Sequence, residues 1–546
     1  MTDTVADLVG RELVRTHGVG HVFGVVGSGN FHVTNAMIAA GARYVAAAHE
    51  GGAASMADGF ARVSGRLTAL TVHQGPGITN ALTGVTEAAK SRTPLLVLAP
   101  EATAPRSNFY IDLPGLAASI GAAYAQVRTE HALADVAAAV TGATAGAGGT
   151  VLLGLPLNVQ AQKAVESPPP VAAGSRDAPA PDVTALAGAL RAARRPVFIA
   201  GRGATRSGGP AVSRLAKRCG ALLAVSAAAK GLFAGDPCYL DISGGFATPL
   251  TAELIGRADL VVAWGSTLNM WTTRHGRLIP DRAVVAQIDL EAGQLGVNHR
   301  VDVGVAGDVA TVAAACTASL EADGIASTGF RTPEVRARIE AEGRWALVPY
   351  RDEGTDDLID PRTLSIGLDD LLPAERTVVV DSGNFMGYPS MFLSVPDAAG
   401  FVFTQAFQSI GLGLGSALGA AVARPDRLTV AALGDGGYLM GAAELATAAT
   451  LGVPLLIVVY NDGAYGAEVH HFGPHGHVLD TVRFPDWDLA AIGRGYGLDG
   501  VTVRSSADLA AVRAWVEGPR KRPLVVDAKV VSEHGSWWLE EAFRGH

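Results

Sequence analysis

The sequence predicts an α/β protein with parallel sheets divided among three domains. Apolar runs rich in Val, Ile, Leu and Ala, such as Leu67 to Val72, Leu260 to Trp264 and Pro454 to Tyr460, read as strands buried on both faces. They alternate with stretches of helical period, the pattern of β–α–β units. A length of 546 residues exceeds what one core can organise, and the strand-like runs fall into three groups.

Composition narrows the possible functions. Apolar residues make up 49% of the chain and mean hydropathy is +0.26, which suits buried sheets. No run reaches the ~20 uninterrupted apolar residues of a membrane span, so no membrane partner is expected. The net charge of −9, without basic runs, argues against nucleic acid. Met1-Thr2-Asp3-Thr4 has no basic region leading into an apolar stretch, so a cytoplasmic location is expected. Cys219, Cys238 and Cys316 lack disulfide or metal spacing and read as packed thiols.

The first domain, 1–165, opens with a helical stretch from Val5 to Thr16, a strand from His21 to Val26, and the small-residue loop Gly27-Ser28-Gly29-Asn30. A strand from Tyr44 to Ala48 leads through His49-Glu50-Gly51-Gly52 into a helix over Ala53 to Arg62. The strand Leu67 to Val72 ends at His73-Gln74-Gly75-Pro76-Gly77, a turn into another helix. Parallel strands put all these loops on one carboxyl edge, so Ser28, Glu50 and His73 converge there, and the convergence makes His73 a proton-transfer candidate. Strands are expected at Pro94 to Pro100 and Thr150 to Leu155, and Glu101 to Leu116 between them reads as a loop lining a site. Pro168-Pro169-Pro170 marks a stiff linker over 166–182.

The middle domain, 183–330, carries strands at Pro196 to Ala200, Ala221 to Val225, Leu260 to Trp264 and Val284 to Ile288. Gly201-Arg202-Gly203-Ala204-Thr205-Arg206 follows a strand but lacks the last glycine of a dinucleotide fingerprint. A second linker spans 331–360.

In the third domain, 361–546, strands are expected at Thr377 to Asp381, Phe401 to Phe403 and Leu524 to Lys529; between them an apolar run stops at Gly434-Asp435-Gly436-Gly437, a helix follows to about Leu451, and a strand ends at Asn461-Asp462-Gly463. The glycines permit a sharp turn and close approach of a ligand, and a helix N-terminus attracts anions. Asp435, Asn461 and the Gly463 carbonyl can converge as oxygen ligands of Mg2+. His470, His471, His475 and His477 sit among Gly and Pro without Cys or carboxylate support and read as a loop over the site.

At G-D-G followed by N-D-G, and at His49 to Arg62 (H-E-x-x-A-x-x-x-A-x-G-x-A-R), the chain resembles the thiamine diphosphate (ThDP) enzymes. QGPGITNALTGVTEAAKSRTPLLVL is similar to acetolactate synthases, whereas Ser28 and His73 match benzoylformate decarboxylase. The resemblance implies three doubly wound parallel-sheet domains: pyrimidine-binding, middle and diphosphate-binding. It implies ThDP and Mg2+ as cofactors, with FAD possible on the middle domain. Glu50 would hydrogen-bond the aminopyrimidine and drive its tautomer. Ile410 would wedge between the two cofactor rings. Gln408, Gly434, Gly436, Gly437, Tyr465 and Gly466 would complete the cofactor site around Asp435 and Asn461.

The implied reaction is cleavage next to a 2-oxo group with loss of carbon dioxide, giving an enamine that attacks a second carbonyl in the acetolactate synthase manner. The alternative is an enamine that takes a proton, as in a non-oxidative decarboxylase of benzoylformate decarboxylase type, or a related C–C lyase. Because Glu50 and the metal turn belong to separate domains, the resemblance also implies a homodimer or homotetramer with sites at the dimer interface. A ThDP-fold protein without catalysis would lose Glu50 or the metal turn, and both are present. A nicotinamide oxidoreductase has only the Gly201 turn in its favour.

Overall fold

The computed structural model describes residues 3–165 and 180–543; most of the 166–182 linker lies outside the described residues. Three six-stranded sheets are formed, all parallel, as the sequence predicts. The first contains β1 (His21–Gly24), β2 (Arg43–Ala46), β3 (Thr68–Thr71), β4 (Leu95–Glu101), β5 (Ala123–Gln126) and β6 (Thr150–Pro156). Its order is β2-β1-β3-β4-β6-β5.

The second holds β7 (Pro196–Ala200), β8 (Leu222–Val225), β9 (Tyr239–Ile242), β10 (Leu260–Trp264), β11 (Val284–Asp289) and β12 (Val303–Ala306), in the order β12-β11-β10-β7-β8-β9. The third holds β13 (Arg376–Val380), β14 (Phe401–Phe403), β15 (Leu428–Gly434), β16 (Leu455–Asn461), β17 (Asp499–Val503) and β18 (Leu524–Lys529). Its order, β14-β13-β15-β16-β18-β17, repeats that of the first sheet. The strand order therefore reverses between β1 and β3 and between β13 and β15, and such reversals open a crevice at the carboxyl edge.

Four strands escape the sequence reading: β5, β9, β12 and β17. All lie at sheet edges, where one flank faces solvent and an uninterrupted apolar run is not needed. The stretch after Gly437 also differs from expectation, forming two helices, Asp435–Met440 and Glu444–Leu451. The interruption falls at Gly441, a poor helix former.

The first and third domains share a core. The helix Glu50–Ser64 packs on Gly413–Ala423 so closely that a Cβ on Gly419 would stand 1.9 Å from the Met56 carbonyl oxygen. Met56, Ala57 and Phe60 meet Leu414, Ala417 and Leu418 in one buried cluster. Polar ties reinforce it. Glu444, buried, accepts the Ala48 and His49 N–H groups at 3.2 and 3.0 Å. Glu87 accepts those of Ala406 and Phe407 at 3.2 and 2.6 Å, and Arg62 pairs with Asp58 and Glu87 while donating to the Phe403 carbonyl.

Candidate active site

Two polar edges make up the site. On the N-terminal edge, the loop after β1 and the segment after β3 flank the first reversal of strand order, and backbone packing presses them together. His73 Nδ1 accepts the Gly29 N–H at 3.3 Å. Asn30 fixes the loop by accepting the Gly27 N–H at 2.8 Å and donating to Val25 and Thr71. Ser28 is exposed beside this half-buried imidazole.

Glu50 opens its helix, whose N-cap is His49, with Nδ1 accepting from Gly51 N–H. The Glu50 carboxylate is half-buried and accepts from Asn80 Nδ2 at 3.1 Å. Within one chain, then, the carboxylate is not enclosed.

The C-terminal edge holds a cavity of about 760 Å3 at the second reversal of strand order. Gln408, Ile410, Gly434, Asp435, Gly436, Gly437, Tyr465 and Gly466 all line it, whereas Ser28, Glu50 and His73 do not. Asp381, buried at the end of β13, shapes the floor by accepting the Gly411 and Leu412 N–H groups at 2.9 and 3.3 Å. Burial pushes its carboxyl up to about 6. Gln408 is held at φ 61, a backbone conformation uncommon for a non-glycine residue and found at functional sites. Ser382, Gly383 and Asn384, none anticipated from the sequence, form the opposite wall, and Trp271 of the middle domain closes one side.

The metal-ligand expectation needs correction. Asn461 does not line the cavity. Its Nδ2 donates to buried Asp527 at 2.8 Å and its Oδ1 accepts the Gly463 N–H at 3.2 Å. The Gly463 carbonyl accepts from Phe484 N–H at 2.7 Å. As the last residue of β16, Asn461 still obeys the strand's side-chain alternation and turns toward β18. Asp462, one step beyond the strand, lines the cavity together with Asp435 and Ala464.

Asp435 accepts the Gly436 and Ala464 N–H groups at 2.8 and 3.1 Å. Burial pushes its carboxyl up to about 6. Burial and then the Asp435 charge push Asp462 well above the usual carboxylate range. A buried and a half-buried carboxyl that repel each other form a donor set that suits a hard divalent cation. The consecutive Asn461-Asp462 pair held this signal, since a carboxylate is the stronger ligand of the two.

Other expectations meet packing explanations. Gly201 N–H donates to the Trp264 carbonyl and Gly203 N–H to the Gly265 carbonyl, and a Cβ on Gly201 would stand 2.3 Å from the Gly265 oxygen. These glycines serve turn-to-turn packing and give no sign of FAD. Among the described residues no group of three or more His, Cys, Asp or Glu could hold a metal, and His470 and His471 lie on the helix Gly466–Phe472 rather than in a loop. No helix among the described residues is long and apolar enough to cross a membrane.

Twin α/β units of one topology, the second with a glycine-lined cavity over paired carboxyls, define an enzyme that uses a diphosphate-bearing cofactor. The chain belongs to the thiamine pyrophosphate enzymes. Residues 3–113 match the N-terminal TPP binding domain, 183–316 the central domain and 381–528 the C-terminal TPP binding domain of that family.

It is 26% identical to the sulfoacetaldehyde acetyltransferase of Rhodobacter capsulatus, over 97% of this chain and 95% of the relative. It is 29% identical to a probable 2-ketoarginine decarboxylase of Pseudomonas aeruginosa, over 92% and 89%. With the acetolactate synthase large subunit of Parasynechococcus marenigrum it shares 26% identity, over 90% and 82%. In fold it is similar to the Rhodococcus jostii RHA1 thiamine diphosphate-dependent 4-hydroxybenzoylformate decarboxylase, with a TM-score of 0.79, 23% identity and coverage of 98% and 100%. The protein is a ThDP-dependent enzyme that cleaves or forms C–C bonds.

Proposed function

We propose that the chain is a ThDP- and Mg2+-dependent 2-oxo acid decarboxylase that releases an aldehyde. The observation that carries this reading is the His73–Gly29 hydrogen bond. By accepting at Nδ1, the neutral imidazole carries its proton on Nε2; uptake of a second proton at Nδ1, which releases the Gly29 N–H, gives the imidazolium, the side-chain acid suited to deliver the Nε2 proton near neutral pH and return to a neutral ring. When bound, ThDP stabilises negative charge at the carbon from which carbon dioxide leaves. Asp435, Asp462 and the Ala464 carbonyl would hold the metal and with it the diphosphate, and Ile410 and Gln408 would shape the floor of the cofactor site. Glu50 would exchange a proton with the aminopyrimidine. Ser28 orients the substrate, and Nε2 of His73 protonates the carbon.

The residues of the N-terminal edge act on the cavity of a second chain, making the working unit a homodimer or a tetramer of such dimers. Supporting this, Phe31 and Phe109 on that edge and Met440 at the cavity are exposed apolar side chains. A second reading, carboligation onto another carbonyl, is favoured by the acetolactate synthase relatives. Supplying pyruvate, benzoylformate and branched 2-oxo acids with ThDP and Mg2+ and identifying the products distinguishes the two. Aldehydes alone support decarboxylation, acyloins or acetohydroxy acids support carboligation, and no turnover refutes both.

A further inference from the structure

A smaller cavity of about 340 Å3 adjoins the large one and shares Asn384, Ala467 and Leu539 with it. Ala467, His470 and His471 line it from the helix Gly466–Phe472, their i, i+3, i+4 spacing placing them on one face. Ala467, with a single methyl group, stands where the two cavities meet. Deeper in, His470 Nε2 is buried and has no hydrogen-bond partner, a costly state that a ligand group can relieve.

The charge around this nitrogen narrows the ligand. Among the described residues lining the two cavities there is no Lys or Arg, so an anionic tail would find no cationic partner. Glu540 lines the smaller cavity and Glu468 the larger, but both are exposed and hydrated, so a cationic tail would meet only a solvent-screened carboxylate and would lose hydration beside the buried Nε2. Burial, followed by the nearby His534, holds His470 below the ordinary imidazole range. A hydroxyl, which both donates and accepts, matches either tautomer of a neutral ring.

We propose that the smaller cavity receives the far end of the 2-oxo acid and that His470 selects an uncharged hydroxyl there. This rests on the decarboxylase reading and names its substrate class: 2-oxo acids with a hydroxyl-bearing ring or chain beyond the ketone.

Two matched pairs test it at different reach: benzoylformate against 4-hydroxybenzoylformate, and 2-oxohexanoate against 6-hydroxy-2-oxohexanoate. In the parent holoenzyme, kcat/KM should favour the hydroxylated member of at least one pair by about tenfold, the scale of one buried hydrogen bond. His470→Phe should bring that ratio near one while the plain acid keeps its parent rate within about threefold, and His470→Gln should restore part of the ratio. A ratio near one in the parent for both pairs, a ratio that survives His470→Phe, or faster turnover of 4-carboxybenzoylformate or 4-aminobenzoylformate overturns the proposal.

If the parent turns over no 2-oxo acid, the decarboxylase reading fails and calorimetry decides the chamber alone. Tighter binding of 4-hydroxyphenylacetate than of phenylacetate, lost in His470→Phe, upholds it. Equal binding of the two overturns it.

Discussion

The ring of His73 and the backbone of Gly29 lie 3.3 Å apart, Nδ1 to N–H, and the loop is pressed so closely on the ring that a Cβ on Gly27 would stand 2.7 Å from the same nitrogen. The contact fixes which imidazole nitrogen bears the proton. It also explains why two glycines flank Ser28: the loop must lie flat against the histidine and glutamine that follow β3.

If His73 delivers the proton, His73→Ala slows aldehyde release more than it slows loss of carbon dioxide, by about 100-fold for a general acid. Progress curves for both products decide this. Equal slowing of the two would make His73 a substrate-binding group.

Glu50→Gln keeps the shape of the side chain and removes the exchangeable proton. Cofactor binding, followed by titration, should persist while turnover falls at least ~100-fold. Turnover within a fewfold of the parent removes Glu50 from the reaction.

A site shared between two chains allows complementation. Glu50→Gln and Asp435→Ala proteins, each inactive, are unfolded, mixed in equal amounts and refolded. Half of the resulting dimers are mixed and each carries one intact site, so about a quarter of the parent activity should return. No recovery, with mixed dimers verified by mass, would place Glu50 and Asp435 in the same chain's site.

The proposed metal assignment separates three variants. Asp435→Ala and Asp462→Ala should each abolish Mg2+-dependent ThDP binding. Asn461→Ala instead removes a partner from buried Asp527 and should destabilise the fold by about 1–3 kcal/mol in denaturant titrations. ThDP affinity unchanged by Asp462→Ala would return the ligand role to Asn461.

The same carboxyls make a pH prediction. In the folded, metal-free chain Asp435 sits at about 6, above its ordinary 3.8, so the folded state binds more protons than the unfolded one between those values. Its contribution to stability is present below that window and lost as pH rises through it. Bound Mg2+ offsets the buried negative charge, so the Mg2+-induced rise in Tm should be larger at about pH 7.5 than at about pH 5. A pH-independent rise would disconnect the carboxyls from the ion.

Interior strands were legible because burial on both faces demands continuous apolar runs, as in Leu455–Asn461 and Leu524–Lys529. Edge strands such as Asp499–Val503 carry no such demand and went unread. The glycine turn around Asp435 was legible as a ligand cradle, since glycine clusters after strands have few other uses. Choosing between Asn461 and Asp462 depended on where β16 stops, and a one-residue difference there turns a side chain to the other face. Ser382, Gly383 and Asn384 were missed because their role comes from the strand order, which brings β13 beside β15.

The grip of Glu444 on the Ala48 and His49 N–H groups spans nearly 400 residues of chain. During synthesis at ~5–20 residues per second, those two donors wait roughly 20–80 s for their acceptor to leave the ribosome. Until then the loop that carries Glu50 has neither its partner helix nor its polar anchor, and the apolar face of Glu50–Ser64 stays open. A nascent chain stalled before the third domain therefore holds a catalytic edge that is already written but not yet set, and it is at this stage that a chaperone has most to shield.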